Sequence, residues 1–320
     1  NIPVANTFMA KGVIPFKHRC ALGSAGLQAN DYISCGFDKA DVIICVGYDL
    51  VEYHPYLWHP DRDRTIIHID YSPAETDAHY PVAVGVIGDI RHSLDRIAQL
   101  TTPHQGAHVR PMRERLVREM DQHREDLEFP VKPQKIIWDL RTALDLEDIV
   151  VCDVGAHKMW MARMFRCEYP NTCIISNGFA SMGIAVPGAI AAKLVYPQRR
   201  VVAVTGDAGF MMNSQEIETA MRCKLPIVIL IWNDSSYGLI EWKQMNQFQR
   251  SSNVHFTNPD FVAYAESFGA KGYRIERTAD LPAILEEALA NDTVSIIDCP
   301  VDYRENIKLT DQLGTLVCPT

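Results

Sequence analysis

What this 320-residue sequence lacks is an apolar run long enough to cross a bilayer: the longest, 227–232, has six residues where a spanning helix needs roughly 20. No charged-then-apolar signal segment is visible either, so the expectation is a soluble, cytoplasmic protein with no membrane partner. Nine cysteines are spaced without a single Cys-x-x-Cys pair. That excludes a zinc-finger spacing and a dense disulfide framework, and leaves most of the thiols as reduced core residues. Blocks of one charge are missing too. The 31 Lys and Arg are interspersed with 40 Asp and Glu for a net charge of −9, which offers nucleic acid no basic stripe to follow. No Gly-x-Gly-x-x-Gly follows a predicted strand, which speaks against a nicotinamide dinucleotide site. No repeat at the period of a solenoid or propeller is present. Apolar residues, by contrast, are plentiful at 47%, with 22% charged, so a packed globular fold follows and the length suggests two domains.

Short β-branched runs recur with room for helices between them, the pattern of parallel α/β layers. Strands are expected at 41–47, 65–70 and 84–89 in the first half, and at 149–154, 173–176, 201–205, 227–232 and 295–299 in the second. Runs apolar throughout belong to strands covered on both faces. Helices are expected at 90–100, 134–144 and 213–224. From 101 to 134 the chain turns rich in Arg, Glu, His and Pro, which reads as a linker with a solvated helix over 113–124. The fold class is therefore α/β, as two doubly wound parallel-sheet domains of three layers each.

The segment 201–238 carries the chemistry. One buried strand ends at Gly206-Asp207, small residues Ala208-Gly209 follow, a helix comes next, and a second buried strand ends at Asn233-Asp234. In a parallel sheet those two strand ends reach the same edge, so Asp207 and Asp234 converge. Oxygen ligands from two strand ends, with small residues permitting close approach, suit Mg²⁺ holding a diphosphate, with helix amides aimed at the phosphates. Either acid alone reads equally as a turn or helix cap; the pair is the signal.

This arrangement resembles the thiamine diphosphate signature of the enzymes that decarboxylate pyruvate and other 2-keto acids. Its surroundings resemble that family too. Asp153-Val154-Gly155-Ala156-His157-Lys158-Met159-Trp160 is similar to the first diphosphate loop, and 176–187, from Ser176-Asn177-Gly178 to Val186-Pro187, to the segment beneath the cofactor's central bend. Pro3-Val4, Thr7, Lys11-Gly12, Pro15 and His18 resemble the opening of the family's central domain. The catabolic acetolactate synthases resemble it best, through Gly47-Tyr48-Asp49-Leu50-Val51-Glu52-Tyr53, Trp232-Asn233-Asp234-Ser235-Ser236-Tyr237, Tyr264-Ala265-Glu266-Ser267-Phe268-Gly269-Ala270 and Pro300-Val301-Asp302-Tyr303-Arg304-Glu305-Asn306.

The resemblance implies a central domain at 1–105, a linker at 106–132 and a diphosphate-binding domain at 133–320, with the family's N-terminal pyrimidine-binding domain absent. It implies Asp207 and Asp234 as side-chain Mg²⁺ ligands and Ser236 as a ligand through its backbone carbonyl. His157, the backbone around Gly155 and Ala156, and the amides of Ala208 and Gly209 would meet the diphosphate. Tyr237, Gly238 and Leu239 would run past it toward the thiazolium, and the region of Leu239, Ile240 and Lys243 would line the substrate pocket. Ser181 and Met182 would lie under the bend, Met182 as the apolar wedge. Three positions depart from the commoner pattern: Ala208 where Gly is usual, Ala156 in place of Gln and Ala180 in place of Gly. Lys243 stands where the biosynthetic branch has its specificity Trp. Leu22-Gly23-Ser24-Ala25-Gly26 does not reproduce the biosynthetic branch's Gly-Met-His-Gly, so FAD is not expected.

The implied activity is decarboxylation of pyruvate and carboligation to a second pyruvate, giving 2-acetolactate and CO₂, by a homodimer or homotetramer. The activating glutamate would come from the pyrimidine domain in cis or in trans, so the isolated chain is expected to be inactive. Two alternatives stay open: another thiamine diphosphate-dependent 2-keto-acid decarboxylase or carboligase, and a catalytically silent cofactor-binding fragment or subunit.

Overall fold

The structure, a computed structural model, describes residues 2–26, 32–102 and 110–309. The domain boundary expected near residue 105 lies outside the described residues. The first part of the chain forms β1 (Val4–Asn6), β2 (Ala21–Ser24), α1 (Tyr32–Asp38), β3 (Val42–Val46), β4 (Thr65–Asp70), β5 (Val82–Ile87), α2 (Ile90–Leu100) and α3 (Arg110–Asp121). Next come α4 (Pro133–Ala143), β6 (Ile149–Cys152), α5 (Ala156–Met164), β7 (Cys173–Ile175), α6 (Ala185–Val195), β8 (Val201–Gly206), α7 (Asp207–Met212) and α8 (Glu216–Arg222). The chain continues through β9 (Val228–Asn233), α9 (Gly238–Phe248), α10 (Phe261–Ser267), β10 (Lys271–Arg274), α11 (Leu281–Ala290) and β11 (Ser295–Pro300).

Six strands of the second part make one parallel sheet in the order β10-β11-β9-β8-β6-β7. Successive side chains along a strand point to opposite faces, and here both faces are apolar. Val150, Val202, Val204, Leu230 and Trp232 join the core formed with α4, α5 and α11. Ile149, Val151, Ala203, Ile229 and Ile231 face α6, α8 and α10. The strands read from sequence are therefore present, and all but the edge strand β7, whose Ile174 is exposed, are covered on both sides.

The first part differs. β1 and β2 form a parallel pair, and β3, β4 and β5 a separate three-stranded parallel sheet. Ile43 and Cys45 pack with Leu22, Ile33, Trp58 and Ile66, but Val42, Ile44 and Val46 on the opposite face are exposed. Two-sided cover, expected for every apolar run, is only partial here: α2 contacts β4 and Ile69 is buried, but the β3 residues on that same face stay exposed. α2 forms where expected, yet it buries no residue.

Other boundaries move for local reasons. The strand expected at 84–89 ends at Ile87, since Gly88 takes φ 150° and Asp89 caps α2 by accepting from the His92 amide at 2.7 Å. The helix expected from 213 begins at Glu216, behind α7. The linker helix is not solvated. Met112, Leu116 and Met120 of α3 are buried, and Arg113 donates to the carbonyls of Ala21 and Phe16 at 2.7 and 2.6 Å. Arg163 on α5 adds a bidentate pair to Glu119 at 2.7 and 2.9 Å, clasping the two parts of the chain together. Among the described residues seven cysteines are free thiols, all but Cys223 buried.

Candidate functional site

The order of the sheet fixes where a ligand can sit. β6 lies between β7 and β8, so the chain leaves it in opposite directions on its two sides, and a crevice opens outside the carboxyl ends of β6 and β8. The loop after β6 carries Gly155, and the end of β8 carries Asp207. β9 lies next to β8 with Trp232 opposite Gly206, which brings Asp207 and Asp234 to one edge as the spacing implied.

Asp207 is almost fully buried at 1% exposure. Its Oδ1 accepts from the Ala208 amide at 2.8 Å; its Oδ2 accepts from the Ser235 amide and from Asn258 Nδ2, both at 2.7 Å. Burial raises its carboxyl pKa. Asp234 is half-buried, and burial, then the charge of Asp207, push its carboxyl up to about 8. Among the described residues neither acid makes an ion pair. Two like charges held together out of water, without a cation, are the condition a divalent ion relieves. No group of three His, Cys, Asp or Glu capable of holding a metal occurs among the described residues. An ion at this acid pair must therefore complete its shell from main-chain carbonyls, water or a bound oxyanion, as Mg²⁺ commonly does.

Ser236 is buried and its hydroxyl donates to Glu241 Oε2 at 3.0 Å, while Glu241 also meets His255 at 3.1 Å. The side chain is thus engaged, and only the carbonyl is left for the role the resemblance gave it. The loop is pinned by the Tyr237 amide donating to the Val254 carbonyl at 2.9 Å and by the Tyr237 ring against Phe256. Gly238 has no room for a side chain: a Cβ there would lie 2.7 Å from Asp234 Oδ2. Leu239 packs against the main core.

His157 does not face solvent. It is 2% exposed, its ring folded over Gly155, where a Cβ would lie 2.6 Å from Cε1. Burial holds the imidazole neutral, its pKa down at about 3, and Nε2 has no partner. Ala156 is buried beside it. Ala208 lies within α7 and is not among the positive-φ residues, so replacing the commoner Gly strains nothing. Its amide is taken by the Asp207 carboxylate. Gly209 packs tightly, with Asp153 Oδ1 3.1 Å from where a Cβ would stand.

Ser181 is exposed and Met182 half-buried on a separate loop, with no hydrogen bond to the acids among the described residues. Asp153 ties that loop to the β6 edge, accepting from the amides of Gly183 and Ala185 at 2.8 and 3.0 Å, and Asn213 donates to the Gly183 carbonyl at 2.9 Å. Ala180 takes φ 50°, the left-handed conformation that a Gly adopts more freely. Two residues were missed by the sequence reading. Asp153 stood in a motif without a role, and Asn258, which bridges Asp207 to Asn233 at 3.0 Å, offered only an Asn-Pro turn signal.

Residues 1–97 match the thiamine pyrophosphate enzyme central domain, and residues 153–299 the C-terminal TPP binding domain of the same enzymes. The chain is 38% identical over 317 residues to an acetolactate synthase of Bacillus subtilis, covering 96% of this chain and 55% of that protein. It is 36% identical over 297 residues to a catabolic acetolactate synthase of Raoultella terrigena, covering 91% and 53%. With the large subunit of acetolactate synthase isozyme 3 of Escherichia coli it shares 30% identity over 332 residues, covering 96% and 56%. The chain spans about half the length of the curated relatives it matches. No helix among the described residues is long and apolar enough to cross a membrane.

Proposed function

The chain belongs to the thiamine pyrophosphate enzymes, carrying their central and C-terminal domains, and from that premise we propose that it is the cofactor-holding part of an acetolactate synthase. The observation that carries the reading is the pair of buried Asp207 and half-buried Asp234, without an ion-paired side chain among the described residues, at the switch point of the six-stranded sheet. In this reading the two carboxylates and the Ser236 carbonyl hold Mg²⁺, and Gly209 with the backbone around Gly155 and Ala156 receives the diphosphate. Asn258 and the Ser235 amide fix the Asp207 carboxylate, which would hold the ion. Tyr237, Gly238 and Leu239 form the wall beyond the acids, and Ser181 and Met182 lie under the cofactor's bend, Met182 as the apolar wedge. Bound thiamine diphosphate supplies the electron sink for loss of CO₂ from a 2-keto acid. The protein's share is binding, orientation and a water-poor edge.

Pyruvate is the proposed substrate and 2-acetolactate the product, in a cytoplasmic homo-oligomer whose pyrimidine-binding domain is supplied in cis or in trans. No flavin is proposed. Product analysis with pyruvate, on the protein joined to that domain, tests the reading: acetolactate is expected, and acetaldehyde without acetolactate would assign a simple decarboxylase instead. Flavin absorbance of the purified protein would overturn the exclusion of FAD.

A further inference from the structure

Two buried thiols meet where the first and second parts of the chain join. Cys167 stands in the loop between α5 and β7, Cys173 opens β7, and the Cys173 thiol donates a hydrogen bond to the Cys167 sulfur. Both are free of disulfides, and the proposed decarboxylation uses neither. Cys173 is packed into the core under the sheet. Cys167, by contrast, also lines a partly open cavity of about 20 Å³ together with Lys11, Gly12, Phe16 and Arg163. That is room for one water-sized molecule or slightly more.

The surroundings favour a thiolate at Cys167. Lys11 is buried, its Nζ donating to the Ala162 carbonyl at 2.7 Å and to Ser24 Oγ at 3.2 Å, and among the described residues no carboxylate pairs with it. The hydrogen bond from Cys173, then the charge of Lys11, a hydrogen bond from Thr172 and the charge of Arg141, hold the Cys167 thiol below its ordinary value against the effect of burial. Thiolate character beside cations, with a way in for the oxidant, is what makes a cysteine reactive. The same loop is a joint. The Phe16 amide donates to the Cys167 carbonyl at 2.8 Å, the Lys17 amide to Glu168 Oε1 at 3.2 Å, and Gly12 backs onto the Tyr169 carbonyl with no room for a side chain.

We propose that Cys167 and Cys173 are a peroxide-oxidisable pair, a modification site at the joint between the two parts of the chain, with Cys167 as the attacking thiol and Cys173 as the resolving one. The Cys167 thiolate attacks one oxygen of hydrogen peroxide; the O–O bond breaks, hydroxide leaves and takes up the proton that the thiol had given up, and Cys167 becomes a sulfenic acid. The Cys173 sulfur then attacks the Cys167 sulfur. The S–S bond forms, the S–O bond breaks, and the hydroxyl leaves as water with the Cys173 proton. Together the thiols give up two electrons and two protons, and one peroxide is reduced to two waters. The site does not depend on the cofactor reading.

Treating the folded 320-residue chain with hydrogen peroxide, alkylating the remaining thiols and mapping the peptides by mass spectrometry provides the test, with the exposed Cys223 as internal comparison. The disulfide between Cys167 and Cys173 is expected to form at least about tenfold faster than Cys223 is oxidised. In urea that advantage should vanish, because the cavity and the Lys11 charge are gone. In Cys173→Ser, Cys167 should stop at the sulfenic acid, which dimedone captures. Oxidation of Cys223 while the pair stays reduced would overturn the proposal, as would an advantage that persists in urea. Sulfinic acid at Cys167 with Cys173 still reduced, in the unsubstituted chain, would overturn the resolving role of Cys173.

Discussion

Two strands of this chain end in the same dipeptide. β5 runs into Gly88-Asp89 and β8 into Gly206-Asp207, and the two aspartates have come to different ends. Asp89 is exposed and caps α2 through the His92 amide. Asp207 is sealed, holds three N–H donors and faces a second acid. The sheets behind them explain the difference. Val228 to Trp232 of β9 are at most 3% exposed, whereas Val42, Ile44 and Val46 of β3 are 42–45% exposed. A carboxylate at the end of a strand covered on both faces has low-dielectric protein on every side but one, and its charge acts at full strength there. At the end of a strand with one open face, water screens it and it serves as a cap.

The largest expected effect breaks that comparison directly. Asp207→Ala should abolish Mg²⁺-dependent binding of thiamine diphosphate, a loss of more than about 100-fold for a removed metal ligand with its charge. Asp89→Ala should leave binding unchanged and cost about 1 kcal/mol as a lost helix cap. Ligand titration and urea denaturation on both variants decide it, and unchanged affinity in Asp207→Ala would reduce Gly206-Asp207 to a turn like its counterpart. A second pair tests the cover itself. Ile229→Ala, inside the sealed sheet, should cost about 3–4 kcal/mol, and Ile44→Ala, on the open face, less than about 1 kcal/mol. Comparable urea midpoints for the two would mean that the open face is covered in solution.

A smaller effect comes from pH. The buried His157 ring stays neutral down to about 3, while an unfolded chain takes up that proton near its ordinary value of about 6.5. Its contribution is therefore full above about pH 6.5 and declines as pH falls toward the folded value, by about 2 kcal/mol at roughly pH 5. Without ligand, His157→Gln should flatten the stability profile across that window. An unchanged profile would mean the ring is hydrated and the sealed edge is wetter than its packing implies.

Legibility in the sequence followed the same division. β8 and β9 could be read because both of their faces are apolar, and Asp207 with Asp234 because neighbouring parallel strands end together. β1, with three residues, and β10, written Lys271-Gly272-Tyr273-Arg274 at the sheet's edge, carry no such pattern and exist through their pairing. α3 is a different kind of miss. Met112, Leu116 and Met120 repeat at every fourth position, but the surrounding arginines and glutamates outweighed that spacing and suggested a solvated helix. Asn258 reaches Asp207 from 51 residues away, so no local window could have placed it beside the acids.

The smallest effect separates the loop at the site's rim from the scaffold beneath it. Ala180 sits at φ 50°, where a side chain costs roughly 1 kcal/mol relative to Gly. Replacing it with Gly removes that strain but gives the unfolded chain about 0.5–1 kcal/mol more freedom. The two nearly cancel, so Ala180→Gly should change stability by less than about 0.5 kcal/mol. Ala192→Gly, in the middle of α6, has no strain to relieve and should lose about 1 kcal/mol. Urea denaturation of both variants compares them under one condition. Equal losses would show that the loop does not hold the left-handed turn at Ala180. The Asp153 and Asn213 bonds that fix Gly183 three residues on would then orient Met182 less firmly than their distances suggest, and the rim would belong with the open sheet rather than with the sealed one.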